Sequence, residues 1–191
     1  MHKGRIEAFS DGVIAIIITI MVLEMKVPHG ADFRALGEIY PVFLSYVLSF
    51  LYVGIYWNNH HHLFQIVKQV NGAVLWANLH LLFWLSLFPF VTGWMGENHF
   101  ASSTVEVYGA VLIMAAIAYF ILVRVLLASR CADSAAARAI GRDVKGIISV
   151  VVYAAGIALA FLNAWMGVAL YLCVAIMWLI PDRRIEKNLV E

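Results

Sequence analysis

Apolar residues in this chain come in long blocks separated by short polar stretches, and the blocks have membrane length. Positions 12–23 carry no charge and follow Arg5-Ile-Glu-Ala-Phe-Ser-Asp11. Glu38 and Lys68 bracket 29 residues without Asp, Glu, Lys or Arg, and Lys68 and Glu97 bracket 28 more. Val107–Val123 adds a run of 17 before Arg124. A helix crossing a ~30 Å hydrocarbon core needs about 20 mainly apolar residues, so each block accommodates one span. The last block, Gly146–Pro181, has 36 residues. As one helix it would run roughly 54 Å, too long for a single crossing. Asn163-Ala-Trp-Met-Gly167 near its middle offers a turn. The pattern therefore predicts an all-α polytopic membrane protein with six transmembrane helices, about 4–26, 38–66, 71–96, 103–129, 142–163 and 167–181. They form a single domain over 1–191.

Six spans put both termini on one side, and the basic residues choose the side. With the N-terminus inside, the inner segments hold 11 of the 13 Lys and Arg residues, and the outer ones hold Lys26 and Arg34. That asymmetry predicts cytoplasmic termini in a multi-pass protein of the cell membrane. The first apolar run ends at Glu24 without a small-residue cleavage site, so the first helix is expected to be retained.

Composition agrees with a bilayer as solvent. The chain is 63% hydrophobic and 13% charged, against about 25% charged in a soluble domain. The net charge of +1 gives no basis for nucleic-acid binding. Cys131 lies in a polar loop and Cys173 in an apolar run, so no disulfide is expected. Neither a GxSxG elbow, an HExxH pair nor paired intramembrane aspartates point to an enzyme. Ser45, Ser49 and Ser86 are expected to bond back to their own helices. No cofactor is implied.

The costly residues mark where to look. A charge within a spanning helix costs roughly 2.5–3.5 kcal/mol on insertion scales, so Arg5 and Asp11 need a reason. At ~100° per residue, Ile16 and Leu23 fall within about 20° of each other and Thr19 about 60° from Ile16. Phe9 and Gly12 share that stripe, while Asp11 points about 140° away. A polar pair facing lipid is unfavourable, so Ser10 and Asp11 are expected to face other helices of the same subunit. The apolar stripe then faces lipid, a neighbouring helix or a copy of itself, and spacing does not choose. Partners for the polar pair are at hand in Trp57-Asn58-Asn59-His60-His61-His62 and in Asn71, Trp76, Asn78 and His80. Three consecutive histidines fan out by ~100° each, so they do not converge on a metal ion. No carbonyl filter of the TVGYG kind is present, so any ion filter is made of side chains.

Arg5-x-x-x-Phe9-Ser10-Asp11 followed by Gly12-Val-Ile-Ala-Ile-Ile-Ile-Thr19 resembles the first helix of the transmembrane protein 175 family, the endolysosomal potassium channel and its prokaryotic homologues. Trp57-x-x-His60-His61, Leu75-Trp76-x-Asn78-Leu79 and Leu87-x-Pro89-Phe90 agree with it. The specific motifs lie within residues 5–90. The resemblance implies a potassium-conducting homotetramer around a central pore lined by the first helices, since one six-helix repeat is similar to the prokaryotic form. By position it implies pore-constricting layers at Ile16, Thr19 and Leu23. It also implies that Arg5, Phe9, Ser10 and Asp11 bind the helices together behind the pore, with Trp57, His60, His61, Trp76 and Asn78 as partners. Glu24, just past Leu23, either places carboxylates at the outer mouth or pairs with Lys26 or another interfacial group. The expected function is a weakly to moderately potassium-selective channel. The rival is a proton-coupled secondary transporter using Asp11 and the helix-two histidines, which usually requires broken helices or inverted repeats.

Overall fold

A computed structural model of the chain describes residues 3–65, 67, 69–128 and 144–179. Its elements are helices: α1 (Gly4–Leu23), α2 (Phe33–Glu38), α3 (Tyr40–Gln65), α4 (Gly72–Ser86), α5 (Phe88–Glu97), α6 (Ser102–Ala128), α7 (Val144–Ala160) and α8 (Ala164–Leu179). Four segments among the described residues are long and apolar enough to cross a membrane: Gly4–Leu23, Tyr40–Gln65, Gly72–Glu97 and Ser102–Ala128. The helices α7 and α8 are apolar but shorter, at 17 and 16 residues. Residues 129–143, with Cys131 and three of the arginines expected on the inner side, lie outside the described residues, as does everything after Leu179.

The boundaries differ from the sequence pattern where side chains or proline intervene. The helix expected over 71–96 is two, α4 and α5, hinged at Leu87. Pro89 has no N–H to offer the carbonyl four residues back, so the ladder breaks there. Leu87 instead closes the turn onto the Trp84 carbonyl at 3.3 Å. The last helix starts at Ala164 rather than 167, because Asn163 Oδ1 accepts the Trp165 N–H at 2.9 Å and starts the helix early. The short α2, unforeseen between the first two spans, is capped by Asp32, whose Oδ1 accepts the Ala35 N–H at 3.1 Å. The first helix ends at Leu23, three residues short of expectation.

Inside the bundle α1 lies against α3, α4 and α5, while α6 packs on α4, α5, α7 and α8. Small residues set the closest approaches. A Cβ on Gly167 would lie 2.8 Å from the Gly156 carbonyl oxygen, and one on Gly109 would strike the Tyr171 hydroxyl. Lipid tails are as apolar as leucine, so close helix contact replaces the hydrophobic drive in this setting. Between α5 and α6 the chain reverses through His99 and Phe100, at φ 49° and 59°. The Phe100 N–H returns to the Met95 carbonyl at 2.9 Å, and its ring is buried against Trp165 at 4.9 Å. Those contacts hold a backbone conformation that side-chain-bearing residues seldom adopt.

Candidate pore helix and its polar support

The first helix has two unlike faces. Ile6, Ser10, Ile14, Ile17 and Met21 are buried, at the i, i+4, i+8, i+11, i+15 spacing of one helical face. The opposite stripe is bare: Phe9 is 53% exposed, Ile16 58% and Leu23 79%. Thr19 and Gly12 are exposed with them. Thr19 Oγ1 donates to the Ile16 carbonyl at 2.8 Å.

Ser10 anchors the buried face. Its hydroxyl donates to the Ile6 carbonyl at 2.8 Å and accepts from Asn78 Nδ2 at 2.9 Å. The Asn78 carbonyl oxygen is 2.8 Å from His60 Nε2. A carbonyl only accepts, so the proton sits on His60 Nε2. His60 also stacks on Phe64 with ring centres 4.5 Å apart. Ser10, Asn78 and His60 are each at most 1% exposed. Three helices, α1, α4 and α3, are thus joined by one chain of side-chain hydrogen bonds in which each group meets its partner.

Asp11 belongs to a second, exposed group. Its Oδ1 accepts the Trp57 indole N–H at 3.0 Å. The Trp57 ring stacks on His61 at 5.9 Å, and Gln65 Nε2 donates to His61 Nε2 at 3.0 Å. Below this, Lys3 Nζ donates to the Phe64 carbonyl at 2.8 Å and fastens the start of α1 to the end of α3. The histidine triplet diverges: His60 is buried and His61 exposed, while His62 is intermediate with its Nδ1 buried and unpaired among the described residues. No group of three or more His, Cys, Asp or Glu residues suited to a metal ion occurs among the described residues.

The described residues bring together part of the polar lock expected from the pattern and the resemblance. Ser10, Asn78 and His60 are brought together, and Asp11 with Trp57 and His61. Phe9 and Trp76 are outside it, at 53% and 76% exposed, and Arg5 is exposed with no ion pair among the described residues. The reason is geometric: Arg5 and Phe9 sit on the stripe that the described helices leave uncovered, and Asp11 bonds to α3. Glu24 does not take Lys26, whose Nζ donates to Glu97 Oε1 at 2.8 Å and ties the end of α1 to the end of α5. A hydroxyl cluster also escaped sequence reasoning. Ser45 and Ser86 bond back to Val42 and Phe83 as expected. Ser49 instead accepts from Thr92 at 2.6 Å and lies 3.0 Å from the Tyr108 hydroxyl, all buried. A lone serine in an apolar run carries no sign of which helix will answer it.

Comparisons with known proteins fit this geometry. A family profile described as the endosomal/lysosomal potassium channel TMEM175 matches residues 5–89, which hold both polar groups and the exposed stripe. A potassium channel of Chryseobacterium sp. (strain P1-3) is 58% identical over 191 residues, all of this chain and all of that one. The chain belongs to the TMEM175 family. A potassium channel of Streptomyces collinus is 39% identical over 129 residues, 62% of this chain and 61% of that protein. The crystal structure of a lysosomal potassium-selective TMEM175 homologue from Chamaesiphon minutus superposes with a TM-score of 0.82 at 30% identity, over 93% of this chain and 96% of that one. As a TMEM175-family member with several apolar spans, the protein is a multi-pass membrane protein.

Proposed function

We propose that the protein is a potassium channel assembled as a homotetramer, with four copies of α1 around the central pore. The observation that carries this reading is the bare stripe of α1. Phe9, Gly12, Ile16, Thr19 and Leu23 face outward from a helix whose other side is pinned by Ser10. One subunit offers that stripe no cover, and the names of the relatives supply the ion. In this reading α7 and α8 are the fifth and sixth spans, and both termini are cytoplasmic in the cell membrane. Ile16 and Leu23, seven residues or roughly 10 Å apart along the axis, form two apolar collars around a layer of Thr19 hydroxyls. A narrow apolar collar closes by dewetting and passes ions that shed water at least cost. Potassium holds its hydration shell less tightly than sodium, so it crosses more readily.

The Ser10–Asn78–His60 chain is the lock that keeps each α1 oriented, and Asp11, with Trp57 and His61 beside it, together with Arg5, Phe9 and Trp76 faces the neighbouring subunits. Planar-bilayer recording of the purified protein under a potassium/sodium gradient tests the reading. Ile16→Asn should wet its collar, raising conductance and lowering discrimination against sodium, whereas Ile17→Asn, on the buried face, should disturb packing without that signature. Unchanged conductance and selectivity in Ile16→Asn would remove α1 as the filter. Flux that requires a proton gradient would replace the channel with a coupled transporter, a mechanism that the unbroken 20-residue α1 does not favour.

A further inference from the structure

The two ends of α1 are held differently. Near its start Lys3 bonds the Phe64 carbonyl, and two turns on Ser10 is joined to Asn78 in the buried chain. Near its end the last buried side chain is Met21, whose Sδ lies 3.8 Å from the Thr92 hydroxyl of α5. Leu23 beyond it is bare. The chain leaves the helix with the Glu24 N–H on the Ile20 carbonyl at 3.1 Å and the Met25 N–H on the Val22 carbonyl at 3.2 Å. Lys26 follows directly, with its Nζ 2.8 Å from Glu97 Oε1. Glu97 is the last residue of α5, and its mount is rigid. A Cβ on the adjacent Gly96 would lie 2.6 Å from Ser45 Oγ and 2.7 Å from the Val42 Cα, so α5 ends flush against α3. The ion pair thus joins a lightly held helix end to a fixed wall.

We propose that Lys26 and Glu97 are positioning residues for the outer collar, the ring of Leu23 side chains, an inference that rests on the pore reading of α1. Met21 meets α5 from the buried side of the helix, opposite the bare stripe that carries Leu23. A pull from Glu97 on Lys26 therefore draws the end of α1 back onto α5 and away from the axis. The tight last turn passes that pull on to Leu23. An apolar ring conducts when it is wide enough to wet. With the tie made, four helix ends are held apart and the outer collar stays wet for longer. With the tie cut, the ends lean inward and the collar dewets. The inner collar at Ile16 lies between the Ser10 anchor and Met21, out of reach of the pair. An exposed ion pair is weak against global unfolding, yet it is enough to shift a local two-state equilibrium by about 1.5- to 5-fold.

The test uses the full-length protein with Lys26→Cys and Glu97→Cys, in a parent without Cys131 and Cys173. The two changes remove one charge of each sign, so the net charge stays as it was while the tie is lost. A short bis-methanethiosulfonate linker restores the tie without charge, and a reducing agent removes it again from the same folded protein. Amide hydrogen exchange followed by mass spectrometry reads the helix, and planar-bilayer recording under a potassium gradient reads the collar. Before linking, exchange over residues 22–26 should be about 1.5- to 5-fold faster than in the parent and unchanged over residues 10–17, with the open fraction lower by a similar factor. Linking should reverse both effects, and reduction should bring them back. If the parent conducts and the open fraction ignores both linking and reduction, the proposal is overturned while the pore reading stands. Failure of the linker to bridge the two cysteines in the folded protein would also overturn it. A parent that carries no potassium current removes the pore reading itself and the collar with it, and hydrogen exchange then still reports whether the pair holds the helix end.

Discussion

Replacing Asn78 with leucine is the sharpest perturbation of the polar support. Asn78 is 1% exposed and holds two bonds, donating to Ser10 on α1 and accepting from His60 on α3. Leucine has the same branching at Cγ and the same number of side-chain heavy atoms but bulkier methyls, so no cavity forms. The damage is to the partners left behind. Ser10 keeps its bond to the Ile6 carbonyl and loses only one accepted proton. His60 is left with a buried N–H and no acceptor, which costs about 1–3 kcal/mol. Interhelical hydrogen bonds within membranes average about 0.6 kcal/mol and reach about 1.7, because the unfolded helices in lipid also find partners. The expected destabilisation is therefore about 1–3 kcal/mol, most of it from the orphaned imidazole. The second variant isolates that origin. His60→Leu added to Asn78→Leu removes the orphan, so the double variant should be more stable than Asn78→Leu alone. The assay is reversible unfolding in mixed micelles, followed by tryptophan fluorescence and scored as a double-mutant cycle. An Asn78→Leu protein as stable as wild type, or a double variant less stable than the single, would refute the reasoning.

The helix-packing glycines give a second prediction. Gly167→Ala puts a methyl 2.8 Å from the Gly156 carbonyl oxygen and should destabilise by about 1–3 kcal/mol in the same assay. The Lys26–Glu97 pair is exposed, so Lys26→Met should leave unfolding unchanged at physiological salt. The Glu97 carboxylate, by hydrogen bond first and charge second, raises the Lys26 ammonium above its ordinary range. Whatever that pair contributes is fully present below the usual lysine pKa and lost only as pH rises through the raised value. Stability measured between about pH 7 and 9 should thus show no step from Lys26. For topology, single cysteines at Ala137 and Ser102, in a background without Cys131 and Cys173, should label from opposite sides of intact cells. Labelling of both from outside would overturn the six-span arrangement.

Helix positions were legible in the sequence because charge-free runs of membrane length have few alternatives in lipid. What the runs could not carry was interruption by single residues. Pro89 divides one span at Leu87, and the Asn163 amide starts α8 three residues early. The site was legible in part, and the division follows burial. Ser10 and Asn78 are polar residues in apolar surroundings, which forces them to find each other. Arg5, Phe9 and Trp76 looked equally committed, yet the fold leaves them bare, since a helical wheel gives direction and not what stands opposite. The Ser49–Thr92–Tyr108 cluster was illegible for the converse reason. Each of its members has an acceptable lone existence on its own helix, and only the fold brings them within 3.0 Å.

Thr19 illustrates how a local bond sets a longer-range property. Its hydroxyl hydrogen is taken by the Ile16 carbonyl at 2.8 Å, one turn back along α1. With the proton directed inward, the side of the oxygen facing outward presents lone pairs. In the proposed tetramer, four such oxygens would encircle the axis as acceptors with no donor among them. A partly dehydrated cation entering that layer meets negative partial charge on every side. An anion of the same size meets nothing that replaces its lost water. Discrimination by sign of charge would then need neither a carboxylate in the pore nor a carbonyl filter, because the helix backbone has already decided which way the hydroxyl points.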